Sequence, residues 1–154
     1  MIEIDLREGG GGGVRALNQR LHELRPDSNE RAFRVTHPMG AHAIAVGVEQ
    51  PVEIEIDGHV GFYCAGMNKE ARVTINGHAG PGVAENMMSG RVHVRGNCSQ
   101  GAGASGRGGL LVIDGDASSR CGISMKGIAI VVKGSVGHMS AFMSMRSTTP
   151  SKSS

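Results

Sequence analysis

The chain has 154 residues, of which 25 are glycine, with no Trp, one Tyr and three Phe. Sixteen Lys and Arg against fourteen Asp and Glu leave a net charge of +2, with no long basic run. This composition excludes a collagen-like chain, which needs a G-X-Y period, and a wholly disordered one, which lacks this aliphatic content. It also gives no sign of a nucleic-acid stripe, which needs clustered cations and stacking aromatics.

At the N-terminus, residues 2–6 (IEIDL) alternate like a short strand. The start has no basic segment followed by an apolar one, so no secretory signal is expected, and no stretch reaches the roughly 18 apolar residues of a membrane span. A cytoplasmic location is expected. Gly9 to Gly13 form a flexible tract. Val14 to Leu24 read as a short amphipathic helix, with Val14, Leu17, Leu21 and Leu24 on one face and Pro26 beyond its end. Its apolar face would cap the first coil of the repeat region or dock on a partner.

The middle of the chain repeats. Gly58, Gly77, Gly96, Gly115 and Gly134 are each 19 residues apart. Two residues before them stand Ile56, Ile75, Val94, Ile113 and Val132, and four before stand Ile54, Val73, Val92, Leu111 and Ile130. The residues between are polar, including Asp57, Asn76, Arg95, Asp114 and Lys133. Such alternation marks a strand with one buried face. A charge at Ile75 is therefore expected to prevent folding, and one at Asn76 to be nearly neutral. Past each glycine come small apolar residues (Val60, Ala79, Cys98, Ala117, Val136). Next comes a Gly or Ser column (Gly61, Gly80, Ser99, Ser118, Gly137), then Ala65, Ala84, Gly103, Gly122 and Ala141. Gly40, Ala43 and Gly47 fit the pattern once more at an offset of 18, as a degenerate first coil.

One strand per 19 residues, with equivalent residues in register, implies a single-stranded right-handed parallel β-helix, an all-β solenoid whose coils stack about 4.8 Å apart. The period is not a multiple of six, as hexapeptide left-handed helices require, and no calcium-roll nonapeptide recurs. Glycine at each corner is read as permitting a backbone turn. The expected organisation is an N-terminal extension over 1–30, the β-helix over 31–143, and a disordered tail over 144–154 that supplies no cap.

No chemistry stands out. Residues 101–106 match GxGxxG, but a glycine pair and a strand come next rather than the helix a dinucleotide site needs, so the match belongs to the coil lattice. Cys64 and Cys121 share a column about 14 Å apart, too far for a disulfide, and all three cysteines read as buried small hydrophobes. His59 and His78 stand after corner glycines of adjacent coils and continue into Asn97 and Asp116, which reads as a solvated polar ladder rather than a metal site. No catalytic, cofactor-binding or metal-binding residue is expected. Met67, Asn68, Glu85, Asn86, Met87, Met88, Met125, Met139 and Met143 cluster after the corners as a candidate subunit interface.

The G-x-x-G-x-x-x-G lattice resembles the GXGXG family, which includes the C-terminal β-helix domain of the glutamate synthase large subunit and the β-helix component of formylmethanofuran dehydrogenase. The phrases PGVAENMMSG (81–90) and CGISMKG (121–127) resemble more closely the small GXGXG subunit of glutamate synthase-like complexes, in particular N-methylglutamate synthase. That resemblance implies a non-catalytic structural subunit that positions two partners. One is a class II glutamine-amidotransferase-like subunit; the other is an FMN-binding, glutamate synthase-like subunit with an iron-sulfur cluster. The complex would replace the amino nitrogen of glutamate with methylamine. The alternatives are a formylmethanofuran dehydrogenase-type component and a self-assembling structural β-helix.

Overall fold

Alternation with a fixed period becomes a stack of coils. The computed structural model describes residues 1–7, 13–137 and 151–152. Its elements run β1 (Ile2–Asp5), α1 (Gly13–His22), β2 (Ala32–Thr36), β3 (Glu53–Asp57), β4 (Arg72–Ile75), β5 (Arg91–Val94), β6 (Leu110–Ile113), β7 (Ala129–Ser135) and β8 (Ser151–Lys152). The strands form one parallel sheet in sequence order. The chain is thus a parallel β-solenoid of about five turns with coils of about 19 residues and one short N-terminal helix.

From β3 to β7 the register advances by 19 residues per step. Ile54 pairs with Val73, Val73 with Val92, Val92 with Leu111, and Leu111 with Ile130. These residues and the column from Ile56 to Val132 are almost fully buried. Side chains that share a column meet their equivalents one coil away, so a core without Trp or Tyr fills with branched aliphatics. On the return side, isolated bridges join Val60, Ala79, Cys98, Ala117 and Val136 in the same sequence.

The first turn exists, but in a different register from the offset of 18 read in the sequence. Phe33 pairs with Ile54, a step of 21. Gly40, Ala43 and Gly47 donate their amides to the carbonyls of His59, Phe62 and Gly66, a step of 19 between bonded residues, where the later coils show 18. Glycine spacing alone hid the extra length.

The N-terminal segment is part of the same core. β1 pairs with β2, and Leu17 and Leu21 of α1 are buried with the solenoid residues. Each buried leucine contributes about 1.5–3 kcal/mol. The helix ends at His22, two residues short of the sequence reading, while Leu24 still packs on the core. α1 therefore covers the first coil.

The cover is also polar. A coil edge leaves backbone groups that the next coil would bond, and among the described residues no coil lies beneath the return segment of the first one. Asn18 takes that place: its Nδ2 donates to Ala43 O at 2.8 Å, and its Oδ1 accepts from Ala45 N at 2.8 Å. One amide side chain thus imitates the peptide group of a missing coil. His22 Nε2 donates to Val46 O at 2.7 Å.

The outer face of the sheet balances charge locally. Arg34 pairs with both Glu55 and Asp57, and Asn76 Nδ2 donates to Glu55 and Asp57 at 2.9 and 2.8 Å. Partial burial pushes Asp57 up, but the bonds from Asn76 and Arg34 outweigh it and hold the carboxyl below its usual range. An aspartate at position 76 would set a third carboxylate against these two, so a cost is expected there instead of near neutrality. Higher on the sheet, His93 and Lys133 flank Asp114 at 2.9 and 3.1 Å. The expected tail from Ser144 lies outside the described residues except for β8, which pairs with β7.

Candidate functional site

The return segments carry an unusual backbone. In each coil three residues, spaced by two, have positive φ: Ala43, Ala45 and Gly47; Tyr63, Ala65 and Met67; Gly82, Ala84 and Asn86; Gly101, Gly103 and Ser105; Arg120, Gly122 and Ser124. All lie between +53° and +73° or at +74° for Gly101. Of the intervening residues, Cys64, Val83, Ala102 and Cys121 are buried. Successive amides bond alternately to the coil above and the coil below. Tyr63 N donates to Pro81 O and Met67 N to Glu85 O, whereas Ala65 N donates to Ile44 O. The left-handed sites point the peptides both ways, which lets a non-strand segment stack like a strand. An L-residue there costs about 1–2 kcal/mol, and the stacking offsets it.

The corner glycines answer to something else. Gly77, Gly96, Gly115 and Gly134 do not have positive φ, so a special turn is not what they provide. A Cβ at Gly77 would lie 2.6 Å from Gly58 O, and one at Gly96 would lie 2.5 Å from His78 Nδ1. Close approach between coils excludes a side chain. Gly58 alone among the five has positive φ, at 139°. Gly61, Gly80 and Gly137 in the next column are crowded in the same way, by His42, by Gly61 and by Ser118. Gly103 and Gly122 belong instead to the left-handed lattice.

The atoms that crowd the corners form the side-chain ladder. His59 Nδ1 accepts from His78 N, His78 Nδ1 from Asn97 N, Asn97 Oδ1 from Asp116 N, and Asp116 Oδ1 from Ser135 N, each at 2.8 Å. The His59 and His78 rings stack with centroids 4.8 Å apart. Acceptance at Nδ1 places the proton of each neutral ring on Nε2. The ladder is a hydrogen-bonding device, and among the described residues no group of three or more His, Cys, Asp or Glu could hold a metal ion.

The cysteines are reduced and buried. Burial pushes the Cys64 thiol up to about 12 and the Cys121 thiol up to about 11, and raises Cys98 further. A thiol held neutral is a poor nucleophile. Cys64 and Cys121 stand in one column, separated by Val83 and Ala102, so neither can reach the other.

The methionine-rich set divides. Met87, Met125 and Asn68 are fully buried by the chain itself and are not open to a partner, contrary to the interface reading. Met87 and Met125 fill the core beside the lattice. Asn68 Nδ2 donates to Ala71 O and Ser89 O, tying two coils together. Met67 and Met88 are 42% and 51% exposed, and Glu85 and Asn86 are half-buried. Met139 and Met143 lie outside the described residues.

A 55-residue stretch of the chain is 60% identical to Protein GlxC of Rhizobium meliloti (strain 1021). The stretch is 36% of this chain and spans only 24% of the length of GlxC. The solenoid is consistent with a GXGXG β-helix domain. No family model matches the chain, and no solved structure matches it. No helix among the described residues is long and apolar enough to cross a membrane.

Two features had weak sequence signals or none. Asn18 is one polar residue on an amphipathic helix, and its partners lie 25 and 27 residues away. The left-handed lattice is half concealed, because Ala, Tyr, Met and Arg occupy many of its positions.

Proposed function

We propose that this chain is a non-catalytic structural subunit of a glutamate synthase-like complex of the N-methylglutamate synthase type. It positions a class II glutamine-amidotransferase-like subunit against an FMN-binding subunit that also holds an iron-sulfur cluster, while binding neither cofactor itself. The observation that carries this reading is the stacked lattice of left-handed residues at every second position, repeated through five coils, with glycine at both of its first two positions at Gly101 and Gly103. It agrees with the resemblance of the sequence to the GXGXG family, and the local likeness to GlxC supports it. A rigid, register-locked rod with buried thiols and no clustered metal ligands among its described residues suits a spacer. Nitrogen released at one catalytic subunit must reach the other without loss, and fixed placement serves that transfer.

Co-expression with the two catalytic subunits tests the proposal. The expected result is a three-component complex that forms N-methylglutamate from glutamate and methylamine, and that falls apart when this chain is omitted. Catalytic subunits that assemble and turn over equally well without it would refute the role. The cap formed by α1 disfavours a filament, since it closes one end of the rod to stacking.

A further inference from the structure

The solenoid gathers cations that are scattered in the sequence. Met88 N donates to Asn68 O, Arg107 N to Met87 O, and Lys126 N to Gly106 O, which sets Lys69, Met88, Arg107 and Lys126 in one column. Neighbours in such a column are about 4.8 Å apart at the backbone. A few residues along, Arg72 and Arg91 are direct partners on β4 and β5. All five cations are exposed. Among the described residues, the side chains of Lys69, Arg91, Arg107 and Lys126 have no ion pair, and Arg72 has only a loose contact with Glu53 at 3.7 Å. Glu70 and Glu49 border the lower end, and neither forms an ion pair with the strip. Like charges placed directly opposite are destabilising. Elsewhere on the sheet Arg34, His93 and Lys133 each meet an acid. Here the Arg107–Lys126 rung meets no acid among the described residues, and on the Arg72–Arg91 rung only Arg72 does, through Glu53 at 3.7 Å.

We infer that this strip is a docking surface for a carboxylate-rich face of a partner protein. The inference rests on the reading of the chain as a scaffold subunit and assigns the face that does the holding. Met88, 51% exposed, sits in the middle of the column, and Met67 lies beside it. Methionine and arginine are enriched at protein interfaces. Single-stranded nucleic acid would call for aromatic stacking residues, and the strip has none.

The test uses the full chain and the double variant Arg91→Glu/Arg107→Glu. Each new carboxylate stands next to a remaining cation, Arg72 or Lys126, so the variant should melt no lower than the wild type. Affinity for the co-expressed amidotransferase-like and flavin subunits is measured by titration at low and high ionic strength. The expected result is wild-type binding that weakens with salt, and a loss of about tenfold or more in the variant. Wild-type binding with an undiminished variant would overturn this inference and leave the scaffold role standing. No wild-type binding would overturn both. A single-stranded RNA oligonucleotide and vesicles of anionic lipid serve as further probes. Reversal that abolishes binding to either of them, but leaves the subunits bound, would also overturn it.

Discussion

Replacing Asn18 with leucine removes the amide that closes the N-terminal edge of the solenoid. Two bonds of 2.8 Å are lost, one to Ala43 O and one from Ala45 N. Ala45 is fully buried, so its N–H would be left without water or a partner. An ordinary hydrogen bond is worth about 1 kcal/mol net, and an orphaned buried group costs about 1–3 kcal/mol. The expected loss is therefore about 2–4 kcal/mol. Asn18→Asp separates the two bonds, because a carboxylate still accepts from Ala45 N but repels Ala43 O. It should be no better than leucine. In a stacked protein the damage is local, since each coil depends on its neighbours. Hydrogen exchange at the amide of Ala45 is the direct readout, and it should accelerate by at least about thirtyfold while amides of β5 and β6 change little. Urea unfolding supplies the total. Asn18→Leu within about 0.5 kcal/mol of the wild type, with unchanged exchange at Ala45, would refute the cap.

Other substitutions probe the coils themselves. Gly96→Ala sets a Cβ against His78 Nδ1 and Gly77 O and should cost about 2–3 kcal/mol by urea unfolding, whereas His78→Asn, which keeps an acceptor, should cost less than His78→Leu. Ile75→Asp buries an unpaired charge and should abolish folding as seen by circular dichroism; Asn76→Asp should fold but lose about 1 kcal/mol against Glu55 and Asp57. Asp57 and Asp114 are both held below the usual carboxylate range by their partners. Their contribution is present above the unfolded carboxylate range, near pH 4, and is lost as the pH falls through the lower folded values. Melting temperature should thus drop below about pH 4, and less steeply in Asp57→Asn/Asp114→Asn. The three cysteines should resist iodoacetamide in the folded chain at about pH 8 and react fully in urea, as counted by mass spectrometry.

The strand half of each coil was legible because two independent periods coincide there: alternation by two within the strand and recurrence by 19 between strands. The ladder from His59 to Asp116 was legible for the same reason. The return half was harder to read. Ala65 and Ala84 share a left-handed position with Gly103 and Gly122, yet alanine gives no hint of positive φ. Gly96 and Gly115 looked like turn residues and prove to be contact residues. Met87 and Met88 are chemically identical neighbours, one buried and one exposed, and only the alternation of the lattice decides between them. Successive cations of the docking strip are up to 19 residues apart, so a search for linear basic runs passes over them.

The amides of the return segment alternate up and down, and side chains of the strand segment alternate in and out. A one-residue slip would turn the strand side chains inside out and would set the left-handed residues of one coil against the intervening residues of the next. Length changes inside the four regular coils are therefore forbidden in two ways, by exposed aliphatics on one side and by clashing peptides on the other. The first turn, where the step between β2 and β3 is 21, shows where the fold yields. Natural variation in coil length should be confined to that end, next to α1, where a helix rather than another coil is the neighbour that must adapt.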